Sequence, residues 1–150
     1  TMTAPVAFVV DASVAIKCVI EETHSDLARL LFQKLADDSG VLFWVPDLFY
    51  AECSNILWKR VRRGETTADL AVKHSSFLRE LPLCDVPLRD LVPRGLEIAL
   101  LSDITVYDGS YAALAERLNA PLVTADERLL RKLTGTSIKA CHLTTWQTAT

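Results

Sequence analysis

The sequence predicts an α/β fold in which a central parallel β-sheet is sandwiched between two layers of α-helices. Short apolar runs alternate with longer segments in which apolar residues recur at helical spacing. Strands that alternate with helices pair in parallel, because each helix returns the chain to the same edge of the sheet. The runs are apolar on both faces, which is typical of strands covered on both sides. We expect residues 1–150 to form one domain, since 150 residues is an ordinary domain length.

The first apolar run, Val6 to Val10, leads directly into Asp11. We expect this run to be the central strand and to be followed by a helix over 12–20. In open α/β sheets, ligands bind outside the carboxyl ends of the strands. Asp11 therefore lies where the chemistry of such folds is usually done.

In the first half of the chain, polar and glycine residues mark where each further helix begins and ends. The residues that we expect to cap these helices are Thr23 or Ser25, Asp47, and Thr66 or Thr67. The helices are predicted over 25–37, 48–63 and 67–81, and the strands over 41–45 and 83–86.

The second half of the chain continues the alternation. A helix is predicted over about 88–101 despite Pro93, since a proline near the first turn is tolerated. The elements that follow are predicted as helices over 107–118 and 126–133 and strands over 121–124 and 138–143.

Composition and charge exclude several classes of protein. The net charge is −3 and the pI is about 5.6, which argues against binding nucleic acid by bulk charge alone. An enzyme whose positive charge comes from a bound metal is still allowed. No run has the roughly 20 apolar residues that span a bilayer, and no signal peptide is recognisable. The four scattered cysteines are typical of free thiols in a reducing compartment, so we expect a cytoplasmic protein with no membrane contact.

Asp126 is the second acid that follows an apolar strand, as Asp11 is the first. Both acids are expected along the carboxyl edge of the sheet, because parallel strands point the same way. A capping box formed by Thr124 and Glu127 would explain this region without catalysis.

Asp108 and Glu52 are expected on or beside apolar helix faces. Tyr111, Ala112 and Ala115 follow Asp108 at helical spacing, although a capping box with Thr105 is again an alternative. A carboxylate aimed at a core needs a cation or several donors, because a bare buried charge is very costly.

Glu52 has Leu48, Phe49 and Ile56 around it at helical spacing, and Asn55 shares its face. A salt bridge to a nearby arginine would be the ordinary explanation for one such acid. The four acids together are more specific, since carboxylates that share one pocket cannot all stay ionised without compensation. Clustered carboxylate oxygens favour Mg²⁺ or Mn²⁺ over zinc, which prefers His and Cys.

Four stretches of the chain, taken in order, resemble the PIN-domain ribonucleases and, within them, the VapC-type toxins of type II toxin–antitoxin pairs. The stretches are 10–13 (VDAS), 51–57 (AECSNIL), 107–116 (YDGSYAALAE) and 121–129 (PLVTADERL). The resemblance implies a PIN-like three-layer α/β/α fold and endonucleolytic RNA cleavage with Mg²⁺ or Mn²⁺. The implied products carry a 5′-phosphate and a 3′-hydroxyl.

The resemblance also assigns roles. Asp11 and Asp108 match the principal metal ligands of the family, and Glu52 and Asp126 match two further acids of the site. The polar residues that match those orienting the acids are Ser13, Asn55 and Thr124. Local capping and helix-face hydrogen bonds are the alternative for these three. Gly109 departs from the family, which more often has Ala there, and Gly lowers helix propensity by about 1 kcal/mol.

Two alternatives to the toxin remain at this point. A metal-dependent phosphatase on a doubly wound sheet is one, but many such enzymes have Asp-x-Asp where this chain has Asp11 and Ser13. A non-catalytic interaction module, in which the acids are caps and ion pairs, is the other. The basic cluster of Lys59, Arg60, Arg62 and Arg63 fits either a solvated helix end or contact with an RNA backbone.

Two kinds of protein partner are expected. The expected antitoxin is small and inserts an arginine among the acids, because the guanidinium fork matches a carboxylate. A homodimer is expected because one small core cannot bury every large apolar residue, and the resemblance implies the same. The residues that suggest this are Phe43, Trp44, Phe49, Tyr50, Trp58 and Phe77.

Overall fold

The computed structural model describes residues 4–148, and its sheet has five strands. The strands are, in chain order, β1 (Val6–Val10), β2 (Val41–Pro46), β3 (Cys84–Val86), β4 (Leu122–Thr124) and β5 (Ala140–His142). Their spatial order is β3-β2-β1-β4-β5, and every neighbouring pair is parallel. The predicted α/β fold with a central parallel sheet, and β1 as its central strand, is confirmed.

Helices flank this sheet. They are α1 (Ala12–Ala15), α2 (Ser25–Asp37), α3 (Leu48–Arg62), α4 (Ala68–Arg79), α5 (Val92–Ser102), α6 (Val106–Leu118) and α7 (Glu127–Leu133). Short 3₁₀ segments lie at Ile16–Cys18, Leu88–Asp90 and Leu143–Thr148. Because α2 and α3 pack on β2, α6 packs on β1, β2 and β4, and α7 packs on β4 and β5, the sheet forms the middle layer of an α/β/α sandwich.

The central strand is also the centre of the hydrophobic core. Val9 and Val10 are completely buried, and Phe8 meets Phe43 of β2 edge to face with ring centroids 5.8 Å apart. Phe43 in turn meets Phe32 of α2 at 5.5 Å. Burying a side chain of this size contributes roughly 1.5–3 kcal/mol. The carboxyl end of β1, from which Asp11 follows, is therefore held firmly.

The first helix is shorter than the predicted segment 12–20, because the chain turns early to satisfy a buried lysine. After α1 the backbone tightens into the 3₁₀ segment, where Lys17 is buried. Its Nζ donates hydrogen bonds to Oε1 of Glu22 at 3.0 Å and to the backbone oxygen of Thr23 at 2.8 Å. A buried ammonium group requires such partners.

The expected cap of α2 is wrong. Neither Thr23 nor Ser25 caps this helix; His24 stands at the cap position with a left-handed backbone (φ 68°) and no side-chain capping bond. The Ser25 hydroxyl instead accepts a hydrogen bond from the Glu22 N–H at 2.9 Å and is buried. It stabilises the loop before the helix rather than the helix end.

Of the other two expected caps, one is wrong and one is confirmed. Asp47 makes no capping bond to α3, because its Oδ1 accepts a hydrogen bond from the distant Leu88 N–H at 2.8 Å. Thr67 does cap α4 and accepts from the Leu70 N–H at 3.2 Å. The predicted helix over 88–101 is interrupted, since a 3₁₀ segment precedes α5.

Gly109 is required by packing. A Cβ at this position would lie 2.2 Å from the backbone oxygen of Gly95, and a Cβ on Gly95 would lie 3.0 Å from the Ser110 hydroxyl. Such a separation is far inside van der Waals contact, so α5 and α6 pack this closely only without a side chain there. The loss of helix propensity at Gly109 is offset by this packing, which positions the first turn of α6.

No helix within residues 4–148 is long and apolar enough to cross a membrane. The four cysteines are free, and only Cys53 is fully buried.

Candidate functional site

Asp11 lies at the carboxyl end of β1 and is 6% exposed. Its Oδ2 accepts hydrogen bonds from the hydroxyls of Ser13 and Thr124, both at 2.8 Å. Burial raises the pKa of Asp11, although these two hydroxyls oppose the shift, and the charge of Asp126 raises it further. The carboxylate is therefore oriented precisely and is also costly to ionise.

Asp126 is joined to Asp11 through Thr124. The Thr124 hydroxyl donates to Asp11 and accepts from the Asp126 N–H at 3.0 Å, so one hydroxyl links the ends of β1 and β4. Asp126 itself is the N-cap of α7, and its Oδ1 accepts from the Leu129 N–H at 3.1 Å. The capping box suggested for Thr124 and Glu127 is therefore wrong, because the N-cap of α7 is Asp126 and not Thr124.

Asp108 lies in the first turn of α6, half-buried. The N-cap of that helix is Thr105, whose hydroxyl accepts from the Asp108 N–H at 3.1 Å. Burial raises the pKa of the Asp108 side chain to about 6, and the charges of Asp11 and Asp126 add to this shift. Thr105 thus caps the helix through the backbone N–H of Asp108. The Asp108 carboxyl group takes no part in that bond, and burial and the neighbouring acids favour its neutral form.

Glu52 reaches the same region from α3. Burial raises its pKa to about 7, and the charges of Asp11 and Asp108 contribute to the shift. The Tyr111 hydroxyl opposes the shift and faces this carboxylate, but the two groups do not meet hydrogen-bond geometry. Glu52 Oε1 and the Tyr111 oxygen are consequently both buried without a hydrogen-bond partner among the described residues.

These electrostatic effects link the four acids into what we call the acid site: Asp11, Glu52, Asp108 and Asp126. Asp11 raises the pKa of Glu52 and Asp108, Asp126 raises that of Asp11 and Asp108, and Asp108 raises that of Glu52. A cavity of about 280 Å³ opens beside it, which we call the acid cavity. Its lining residues are Asp103, Ile104, Thr105, Asp108, Asp126, Arg128 and Leu129. A larger cavity of about 500 Å³ lies at the amino ends of β1 and β2, away from the acid site.

The structure places three further residues at the site that sequence reasoning missed. Tyr111 faces Glu52, while Asp103 and Arg128 line the acid cavity. Asp103 has a left-handed backbone (φ 56°) and accepts a hydrogen bond from Lys132 Nζ at 2.9 Å. The sequence signals for two of them are the helical spacing of Tyr111 from Asp108 and the position of Arg128 two residues after Asp126.

Asn55 and the basic cluster do not join the site. The Asn55 side chain is exposed and makes no hydrogen bond to another residue of the described chain. Arg60 is engaged in ion pairs with Glu22 and Glu65. Arg62 stacks over Trp58, 5.1 Å from the ring centroid. These contacts give two of the four clustered basic residues a structural explanation.

The side chains at the acid site suit a hard divalent cation. The buried Glu52 Oε1 lacks any donor, and neighbouring acids raise the pKa values of Asp11, Glu52 and Asp108, so a cation would relieve both costs. All the available ligand atoms are carboxylate or hydroxyl oxygens, which Mg²⁺ and Mn²⁺ prefer. Within residues 4–148, however, no three such groups already stand at coordinating distance. Binding would therefore draw the carboxylates inward.

A fold of this class with acids along its carboxyl edge matches one known family. A family model described as PIN domain matches residues 8–134. The chain therefore belongs to the PIN-domain family.

Its relatives fall in the VapC group of that family. Ribonuclease VapC3 of Pyrobaculum aerophilum is 33% identical over 83% of this chain and 92% of the relative. Exonuclease VapC9 of the same organism is 36% identical over 87% and 89%. Among solved structures, VapBC2 of Rickettsia felis bound to a promoter DNA fragment has a TM-score of 0.66, 13% identity and coverage of 91% and 98%. At that identity, the last likeness concerns the fold.

Proposed function

We propose that this protein is a metal-dependent endoribonuclease and the toxin of a toxin–antitoxin pair. One observation carries the proposal: burial and neighbouring acids raise the pKa values of Asp11, Glu52 and Asp108 at the carboxyl edge of the sheet, around an unpartnered Glu52 oxygen. Evolutionary relatives named as a ribonuclease and an exonuclease support a nuclease. We further propose that the chain works as a single domain in the cytoplasm.

In the proposed mechanism, Asp11 and Asp108 hold Mg²⁺ or Mn²⁺, with Glu52 and Asp126 completing the ligand set. Such a cation supplies charge stabilisation at a phosphoryl oxygen and lowers the pKa of water. Ser13 and Thr124 keep Asp11 in one orientation through their hydrogen bonds. Burial raises the pKa of Glu52 to about 7 without metal, so Glu52 would give up its proton on joining the ligand set.

The direct test is cleavage of two RNAs, one linear and one circular, with Mn²⁺ and with a chelator. An endonuclease cuts the circle and leaves 5′-phosphate ends, whereas an exonuclease degrades only the linear strand. A small aryl phosphate provides the arm for a phosphatase. Asp108→Asn should abolish cleavage, and Asp69→Asn is the matched control, since Asp69 is an exposed acid in the first turn of α4. Metal-independent cleavage, or turnover of the aryl phosphate alone, would overturn the proposal.

We propose a small antitoxin as the protein partner, in line with the two-protein VapBC2 structure of similar fold. An arginine of that partner would enter the acid site, where several carboxylates raise one another's pKa values. Excess Mn²⁺ should then weaken the complex, because metal and guanidinium compete for the same oxygens. Affinity that does not respond to Mn²⁺ would place the inhibitory contact elsewhere.

We also propose a homodimer. Of the six residues first considered, Trp58 (55%) and Phe77 (52%) are exposed. Phe43 and Phe49 are completely buried, so they provide no surface. The most exposed large apolar side chains are instead Leu101 (81%) and Leu100 (76%), near the end of α5. Exposed apolar clusters usually mark interfaces. Light scattering at micromolar concentration should give the dimer mass, and Leu101→Glu should shift it to monomer.

A further inference from the structure

We propose that Arg128 binds a phosphate group of the RNA strand at the mouth of the acid cavity. This inference rests on the proposed ribonuclease function and adds a substrate-binding residue to it. Arg128 lines the same cavity of about 280 Å³ as Asp108 and Asp126, and it is the only basic residue of that lining.

The Arg128 side chain is exposed and has no hydrogen bond or ion pair with any residue of the described chain. Lys132, one turn further along α7, differs from it because its Nζ is paired with Asp103 at 2.9 Å. Arg128 is nevertheless close enough to Asp103 and Asp108 for its charge to lower the pKa of each. Its guanidinium group therefore lies near these acids without pairing with them, and its N–H donors are available to bind a phosphate.

The chemistry of the substrate calls for such a group. A strand that carries one negative charge per phosphate must approach a protein of net charge −3 at its most acidic cavity. The guanidinium fork presents paired N–H donors that match phosphate oxygens, and charge-assisted bonds of this kind are strong. A phosphate next to the cleaved one meets this fork as the strand crosses the cavity mouth.

A purely electrostatic role is the competing explanation, in which Arg128 only offsets the charge of the acids. The two roles predict different kinetics. A phosphate ligand lost from the enzyme raises KM for RNA and makes the salt dependence of kcat/KM shallower. A counter-charge lost from the acids shifts the acidic limb of the pH–rate profile and leaves KM unchanged.

The test compares Arg128→Gln, Arg128→Lys and Arg131→Gln by RNA cleavage with Mn²⁺ over a range of salt concentrations. Arg131 is the matched control, because it is exposed on the same helix and does not line the acid cavity. For Arg128→Gln we expect KM to rise about 10-fold or more and the slope of log kcat/KM against log salt to fall by about 0.7. Arg128→Lys should keep the slope and recover only part of the affinity.

Three results would overturn the proposal in distinguishable ways. If wild type cuts RNA and Arg128→Gln matches Arg131→Gln in KM and salt slope, Arg128 is not a phosphate ligand, while the ribonuclease function stands. If wild type with Mn²⁺ cuts no RNA, the proposed function and this inference fall together. An unchanged KM in Arg128→Gln, with a shifted acidic limb of its pH–rate profile, would assign Arg128 the electrostatic role instead.

Discussion

Asp11 and Glu52 face the same site, yet one carboxylate is bonded in place and the other is left without a partner. Asp11 directly follows the central strand and accepts two hydroxyl donors at 2.8 Å. Glu52 stands on a helix, half-buried, with Oε1 bare and the Tyr111 hydroxyl facing it unbonded. We call Asp11 with its two hydroxyl donors the strand side of the site, and Glu52 with Asp108 the helix side. The strand side is already held by hydrogen bonds, whereas the helix side would be stabilised by a bound cation.

This difference indicates where a cation would do its structural work. On the strand side, hydroxyl donors already compensate part of the cost of burying a charge. For Glu52 and Asp108, Tyr111, Thr105 and Arg128 compensate only part of this cost. Burial and neighbouring acids still raise the pKa values of Glu52 and Asp108 to about 7 and about 6. Metal should therefore stabilise the protein mainly by ordering α3 and α6 against β1.

The largest expected effect separates ligand from cap at Asp108. Asp108→Asn should reduce RNA cleavage by at least about 100-fold, as expected for loss of a group acting in the transition state. It should also leave the metal-free protein about 1 kcal/mol more stable above pH 7, after allowance for partial exposure, since one repelling charge is gone. The measurement pairs a cleavage assay with thermal melting, with and without Mn²⁺.

The control for this experiment is Asp69→Asn, which removes an exposed first-turn acid from α4 instead. Its melting temperature and its response to Mn²⁺ should stay at the wild-type values. In Asp108→Asn, the stabilisation by Mn²⁺ should shrink, because a ligand that binds only the folded state stabilises it in step with its affinity. If Asp108→Asn melted lower without metal and still cut RNA normally, the helix side would be purely structural.

The second prediction tests the strand side. Thr124→Val keeps the shape of the side chain and removes its three hydrogen bonds, to Asp11, from the Asp126 N–H and with the Ser13 hydroxyl at 3.4 Å. We expect a loss of about 1–3 kcal/mol in the free energy of unfolding, because buried polar groups lose their partners. Urea unfolding measures this, with Thr134→Val as the exposed control, which should change stability by less than about 0.5 kcal/mol. Equal effects of the two variants would mean that the hydroxyl is not holding Asp11.

The sequence was sufficient for the layers of the fold and for the acids, because both depend on local patterns. An apolar strand that ends in an acid identifies Asp11 and Asp126 without any tertiary information. The sequence was insufficient where a group distant along the chain competes for a hydrogen bond. Asp47 could have capped its own helix, yet the Leu88 N–H, 41 residues away, takes its carboxylate.

The same limit applies to close packing and to the rim of the site. Gly109 is explained only by the backbone oxygen of Gly95 on another helix, which no local pattern reveals. Tyr111 was assigned to the apolar face of its helix, where it is indeed fully buried. Its hydroxyl faces Glu52 of α3 because of the way in which α3 and α6 pack on the sheet. Side-chain placement of this kind requires the three-dimensional structure.

The third prediction uses pH to expose the helix side. Ionising Glu52 is harder in the folded state, where its pKa is about 7, than in the unfolded chain, where 4.5 applies. Between these values the folded state binds more protons, so stability should fall as pH rises. We expect metal-free wild type to lose about 1–2 kcal/mol relative to Glu52→Gln between about pH 5 and about pH 8, after discounting for exposure.

Saturating Mn²⁺ should reverse the sign of this pH dependence, because the metal binds the ionised carboxylate. Urea unfolding of both proteins at each pH, with chelator and with Mn²⁺, measures the four curves. Parallel curves for wild type and Glu52→Gln without metal would show that Glu52 titrates normally. The contrast between the two sides of the site would then disappear.

The smallest expected effect concerns Asn55, which shares α3 with Glu52. Its side chain is exposed and makes no hydrogen bond within the described chain. Asn55→Ala should change stability by less than about 0.5 kcal/mol. Its neighbour Ser54 bonds Ser75 at 2.7 Å, so Ser54→Ala should cost about 1 kcal/mol. RNA cleavage by Asn55→Ala should stay within about threefold of wild type, since a group without contacts has little to lose. If cleavage instead fell strongly while stability did not, Asn55 would become ordered only when metal draws Glu52 inward. The helix side would then extend one residue further than its metal-free structure indicates.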